Sequence, residues 1–212
     1  MYGPHPPAAL AALDDFEVLI VPGRGNSGPD HWQTHLEARL RQVRRVQQAN
    51  WNAPQLDPWA LRIAIRARAA SRPVLAVAHS FGCLAAAAAV LRHAAPIQGV
   101  LMVAPADPDR FGIPARTLRH RLRVPGILVY SRNDPWLGAG EALALSQRWG
   151  CQGVDAGPAG HINVDSGHGN WAEGDGLLLQ LAGTVQAQRL PDSPKRLEIR
   201  RVSCPSPTTS PT

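Results

Sequence analysis

Short apolar runs and longer mixed stretches alternate along this chain, and the alternation predicts its architecture. FEVLIV at 16–21, PVLAV at 73–77, IQGVLMV at 97–103, PGILVY at 125–130 and a weaker stretch at 152–156 read as strands. Their apolar positions are continuous rather than alternating, which predicts strands covered on both faces. Helices are predicted between them. The first covers 30–47, where Leu36, Leu40 and Val43 keep helical spacing. The second covers 57–70, with Asp57 as N-cap and Pro58 at the first helical position. The alanine-rich run 83–93 follows, then 139–149 and 175–188. Strands and helices taking turns through one chain predict an α/β fold with a mostly parallel central sheet flanked by helices on both faces.

Segment composition divides the chain. Residues 1–14 are proline-rich and predict a flexible leader, 15–188 one domain, and 189–212, dominated by Pro, Ser and Thr, a disordered tail. The chain has 212 residues and is 44% hydrophobic, enough for one proper core. No apolar run approaches the ~20 residues of a membrane span, and the first residues lack the basic region of a secretory signal. Cys83, Cys151 and Cys204 lie far apart without C-x-x-C spacing. A reducing, cytoplasmic setting is therefore expected, with no structural zinc. The net charge of +6 raises nucleic acid as a partner. Its arginines, however, are scattered along helical stretches (Arg39, Arg41, Arg44 and Arg45; Arg62, Arg66 and Arg68), without interleaved aromatics. That distribution predicts solvated outer faces, so no nucleic-acid partner is expected.

Ala78-His79-Ser80-Phe81-Gly82 falls between a buried strand and a helix. A serine there sits at the tip of a sharp turn, beside the free N–H groups of the helix start, as in the G-x-S-x-G elbow of a nucleophilic serine. Serine needs an imidazole to remove its proton and a carboxylate to orient that imidazole. Asp134 follows the 125–130 strand, and His161 lies in the loop before the closing helix, giving the order Ser, Asp, His. Each has a plainer reading: Ser80 or Asp134 as a helix cap, His161 as a surface loop histidine. His168 is the nearest rival base. His79 is unsuited as base, because neighbours on a tight turn cannot present side chains to each other. An oxyanion needs two N–H donors. The Phe81 amide is one candidate and the Arg24 amide the other, with Gly23 and Gly25 keeping that loop pliable. The same loop lacks the Gly-Lys-Ser/Thr ending of a phosphate-binding loop.

Several segments resemble one family of small serine hydrolases, which includes retinoblastoma-binding protein nine and the bacterial YdeN-like proteins. They are Val18–Gly23, then Ser27-Gly28-Pro29-Asp30-His31-Trp32-Gln33, the elbow at 78–82, Ser131-Arg132-Asn133-Asp134-Pro135, and Gly160-His161-Ile162-Asn163 with Ser166–Trp171. The departures are Ala78 for the usual glycine, and His168 and Ala172 in the histidine segment. The resemblance implies a compact α/β-hydrolase fold, with Ser80, Asp134 and His161 as catalytic residues and no metal or other cofactor. It also places His31 and Trp32 near the site, as pocket or structural residues, with His79 beside them. The expected activity is cleavage of a small ester, thioester or amide substrate, with 107–123 as a small cap over the pocket. The alternative is a non-catalytic interaction module on the same scaffold. Substrate identity and oligomeric state are not legible in the sequence.

Overall fold

The computed structural model describes residues 9–189. Six strands form one sheet in the order β2-β1-β3-β4-β5-β6, with every neighbouring pair parallel. They are β1 (Glu17–Val21), β2 (Val43–Arg45), β3 (Val74–Ser80), β4 (Ile97–Pro105), β5 (Gly126–Tyr130) and β6 (Gln152–Asp155). Helices α1 (Trp32–Arg39), α2 (Leu56–Arg68), α3 (Phe81–His93), α4 (Ala139–Trp149) and α5 (Ala172–Arg189) connect and cover them.

The continuous apolar strands divide by side-chain parity. Leu19, Val21, Ala76, Ala78, Val100, Met102 and Leu128 face α2, α3 and α4. Val18, Ile20, Leu75, Val77, Leu101, Val103 and Val129 face α1 and α5. Both faces are buried through the middle of the sheet, which is why the runs are apolar there and admit a polar residue only near a strand start, as at Glu17 and Gln98. Because all strands run one way, their carboxyl ends share one edge, and loops from β1, β3, β5 and β6 open there.

Three expectations change. The helix expected over 30–47 ends at Arg39, and Val43–Arg45 becomes the edge strand β2, pairing with Val18–Ile20. Leu36, Leu40 and Val43 keep helical spacing, but β1 lacks any other partner on that side, and satisfying its backbone outweighs the periodicity. Asp57 does not cap α2: the N-cap is Gln55, without a side-chain cap bond, and Asp57 pairs with Arg92 and His93. The leader packs from Ala9 onward, where Ala9–Leu13 is a 3-10 turn with Leu10 and Leu13 2% exposed against α5's core face. The expected tail falls outside the described residues beyond Arg189.

Two features fix the loops near the sheet edge. Gly82 lies where a Cβ would run into the carbonyl oxygens of Val21 and Pro22, so only glycine lets α3 start this close to β1. The HWQ segment caps and anchors α1. His31 Nδ1 accepts the Gln33 N–H at 3.1 Å, and the buried Gln33 amide donates to Val77 O at 3.0 Å. The Ser27 hydroxyl donates to Gln33 Oε1 at 2.6 Å. Burial, followed by repulsion from Arg45 and His161, lowers the His31 pKa from 6.5 to about 4. A neutral ring is what the cap requires, since a protonated one has no acceptor.

Between pH 6.5 and about 4, the unfolded chain binds a proton at His31 that the folded one refuses. Stability therefore falls as pH falls through this window. Urea titrations are expected to give a lower midpoint at pH 5 than at pH 7. His31→Asn keeps a cap acceptor that does not titrate, and its loss should be shallower by up to about 1.4 kcal/mol per pH unit. Identical losses in the two proteins would remove His31 from this role.

Candidate active site

Strand β3 ends on Ser80 and α3 begins on Phe81, with no residue between. Ser80 takes φ 54° and ψ −124°, a region that costs a non-glycine residue about 1–3 kcal/mol. Although it stands at the N-cap, its side chain makes no cap hydrogen bond. The hydroxyl is turned instead to His161, with Oγ 3.0 Å from Nε2. The other ring nitrogen, Nδ1, lies 2.9 Å from Asp134 Oδ2 and 3.1 Å from Oδ1. A carboxylate only accepts, so Nδ1 carries the proton and Nε2 is the acceptor facing the serine hydroxyl. The Asp134 and His161 side chains are 3% and 10% exposed. Asp134 Oδ1 also accepts the Trp136 N–H at 2.9 Å, so the turn role open to an Asp-Pro pair coexists with the hydrogen bond to His161.

The histidine loop holds a backbone shape that needs support, with φ of 59° at Gly160 and 46° at Ile162. Support comes from two sides. On the aspartate side, Asn133 Oδ1 accepts the Gly160 N–H at 2.7 Å, and Ser131 Oγ accepts the Ala159 N–H at 2.9 Å. On the other side, the Trp32 indole donates to Ile162 O at 2.9 Å, and His79 Nε2 donates to His161 O at 2.9 Å. Burial, then repulsion from His161 and His31, drives the His79 pKa well below 6.5, so this ring is a neutral donor. Ring centroids of His79 and His161 are 4.9 Å apart, as are those of His79 and His31.

Ser80 and His161 border a cleft of about 620 Å³. Arg24, Gly25, Phe111 and Trp136 form part of its walls, with Asp107, Arg110 and Asp165 supplying charge. Asp107, Arg110 and Phe111 come from the segment expected as a cap. Of the five residues expected as pocket or support, only Gly25 borders this cleft. Trp32 and His79 are buried behind His161 and hold its loop, and the buried His31 packs against both of their rings. Gly23 serves close approach rather than pliability: a Cβ there would stand 2.7 Å from Ser80 Cβ. Gly25 has a φ of 82°, and its N–H is donated to Trp51 O at 2.9 Å. Ala78 is fully buried, its methyl packed in the cluster facing α3. His168 is bonded to Ser166 Oγ at 3.1 Å, and the Ser80 hydroxyl has His161 as its imidazole partner. Among the described residues, no group of three His, Cys, Asp or Glu is arranged to hold a metal ion.

Sequence reasoning missed Ser131, Asn133 and Trp136. The first two had a signal, because short polar side chains preceding a strand-end aspartate face whatever loop lies opposite. Trp136 is 51% exposed, with its ring 6.3 Å from that of His161 and the Arg110 guanidinium 5.4 Å from the indole centre. Its role required knowing which way the turn after Asp134 runs.

The serine hydrolase family model matches residues 18–180. A protein described as a YdeN-like hydrolase from Pectobacterium atrosepticum is 36% identical, with a TM-score of 0.80 over 84% of this chain and 97% of its own. The ydeN product of B. subtilis, 18% identical, has a TM-score of 0.64 over 78% of this chain and 98% of its own. The esterase domain of a Rhodothermus marinus protein, 16% identical, shares the fold with a TM-score of 0.60 over 79% of this chain and 86% of its own. No curated protein matches. No described helix is long and apolar enough to cross a membrane. With a family match that spans the elbow, the strand-end aspartate and the loop histidine together, the chain belongs to the serine hydrolase family.

Proposed function

We propose that the protein cleaves a small ester, thioester or amide through an acyl-enzyme on Ser80. The observation that carries this reading is the unbroken hydrogen-bond chain from Ser80 Oγ through His161 to Asp134. As Oγ bonds to the substrate carbonyl carbon, its proton passes to His161 Nε2 and the carbonyl oxygen takes the negative charge. Asp134 stabilises the imidazolium. The amides of Phe81 and Arg24 donate to the oxyanion. Support for Phe81 is its place as first residue of α3, where an N–H has no partner within the helix. Support for Arg24 is its position beside Ser80, with the next amide, of Gly25, already committed to Trp51. Collapse expels the leaving group, which takes the proton from His161. Water then gives a proton to His161 and bonds to the acyl carbon. A second collapse breaks the Ser80–acyl bond, returns the proton to Oγ and frees the acid.

His79 and His31 contribute by staying neutral. An imidazolium at position 161 then forms beside two uncharged rings and one carboxylate, without like-charge repulsion from behind.

Hydrolysis of p-nitrophenyl acetate tests the assignment. Ser80→Ala and His161→Ala are each expected to lower kcat by on the order of 10⁴-fold or more, and Asp134→Asn by about 10⁴-fold. A folded Ser80→Ala protein with wild-type turnover would refute the acyl-enzyme. His79 is a positioning residue, and its contribution is separable. His79→Leu should lower kcat by about 10- to 100-fold with little change in KM. His79→Gln, which restores a donor near Nε2, should recover most of the loss. Equal rates in the Leu and Gln variants would dismiss the hydrogen bond to the His161 carbonyl as the reason.

A further inference from the structure

A second cavity, of about 320 Å³, lies beside the cleft, bordered by Leu56, Phe81, Phe111 and Ile113. Phe111 borders both spaces. Its ring sits 4.7 Å from that of Phe81, the residue after the nucleophile. A group bonded to Ser80 that passes the edge of Phe111 meets a trench with Leu56, Phe81, Phe111 and Ile113 as its apolar walls and Gln55, Arg92 and Thr117 along its border. The trench does not suit an anion. The cation on its border, Arg92, is already paired with Asp57 at 3.2 Å. Charge lies elsewhere in the cleft, where Arg24, Arg110, Asp107 and Asp165 are placed.

Resting on the acyl-enzyme reading, we infer that this trench holds the apolar acyl chain of the substrate, with Phe111 as the threshold between the reacting carbonyl and the chain. The proton path decides between the two halves of the ester. A leaving group must receive its proton from His161 Nε2, so it occupies the part of the cleft that His161 shares with Trp136, Asn163 and Asp165. The trench shares Phe111 with the cleft and is bordered by none of His161, Trp136, Asn163 and Asp165. What extends into it is the acyl half. The substrate class is thus a medium-length straight-chain acyl ester or thioester with a polar leaving group. Phe111 suits a threshold, since it ends a three-residue 3-10 turn (Asp109–Phe111) closed by Gly112 at φ 62°.

A series of p-nitrophenyl esters from acetate to octanoate tests this. Full burial of a methylene favours binding about fourfold, and an open trench takes up roughly half of that free energy, so kcat/KM should rise about twofold per added methylene. Gln55→Trp places an indole over the trench at an N-cap whose side chain makes no cap bond. It should cut the octanoate-to-acetate ratio of kcat/KM at least tenfold. Thr117→Trp, on the same border, should do likewise, and Phe111→Ala should raise the ratio by removing the threshold. Turnover with no dependence on chain length, or a ratio untouched by both tryptophan variants, overturns the trench and leaves the hydrolase reading intact. Absence of turnover on every ester, together with no phosphonate adduct on Ser80, overturns both.

Discussion

The carbonyl of His161 receives a hydrogen bond from the ring of His79, and that contact joins two halves of the site that sequence keeps 82 residues apart. His79 is the penultimate residue of β3 and stands next to Ser80, so its ring moves with that serine. His161 belongs to a loop with left-handed backbone at Gly160 and Ile162, a shape with no regular secondary structure to maintain it. Binding the loop carbonyl to the neighbour of the serine fixes the His161 ring relative to the Ser80 hydroxyl directly. Trp32 does the same one residue later, and Asn133 and Ser131 hold the loop from the aspartate side. Together these contacts frame the 3.0 Å approach of His161 Nε2 to Ser80 Oγ.

Burial of the supports has an electrostatic consequence. A histidine packed behind the His161 imidazole would oppose its protonation if it were charged. His31 and His79 avoid this because burial makes their charged forms costly, and in His31 also because only the neutral ring can accept the Gln33 N–H. His31 must accept from Gln33, whereas His79 needs only its donor at Nε2. Three histidines thus share one corner of the molecule, and one of them is placed to take a proton from Ser80.

Much of this was legible in the chain because it rests on local chemistry. The parallel sheet follows from continuous apolar strands, and the elbow from a serine between such a strand and an alanine-rich helix. The order Ser80, Asp134, His161 placed three groups at strand ends that a parallel sheet gathers on one edge. What could not be read was contact across the fold. Edge strand β2 forms because β1 lacks a neighbour, and no local pattern overrides the helical spacing at Leu36, Leu40 and Val43. The HWQ segment marked itself as important, yet nothing in the sequence says that Trp32 meets Ile162 or that Gln33 meets Val77. Phe111 and Trp136 acquired meaning only when the cleft was seen between them.

The most direct measurement is peptide-level mass spectrometry after treatment with an alkyl fluorophosphonate, where attack by an activated serine oxygen forms an O–P bond and expels fluoride. The account predicts one adduct, on the peptide containing Ser80, formed far faster in the wild type than in His161→Ala. A folded wild-type protein that gives no adduct, or one whose adduct maps to a different residue, would contradict it.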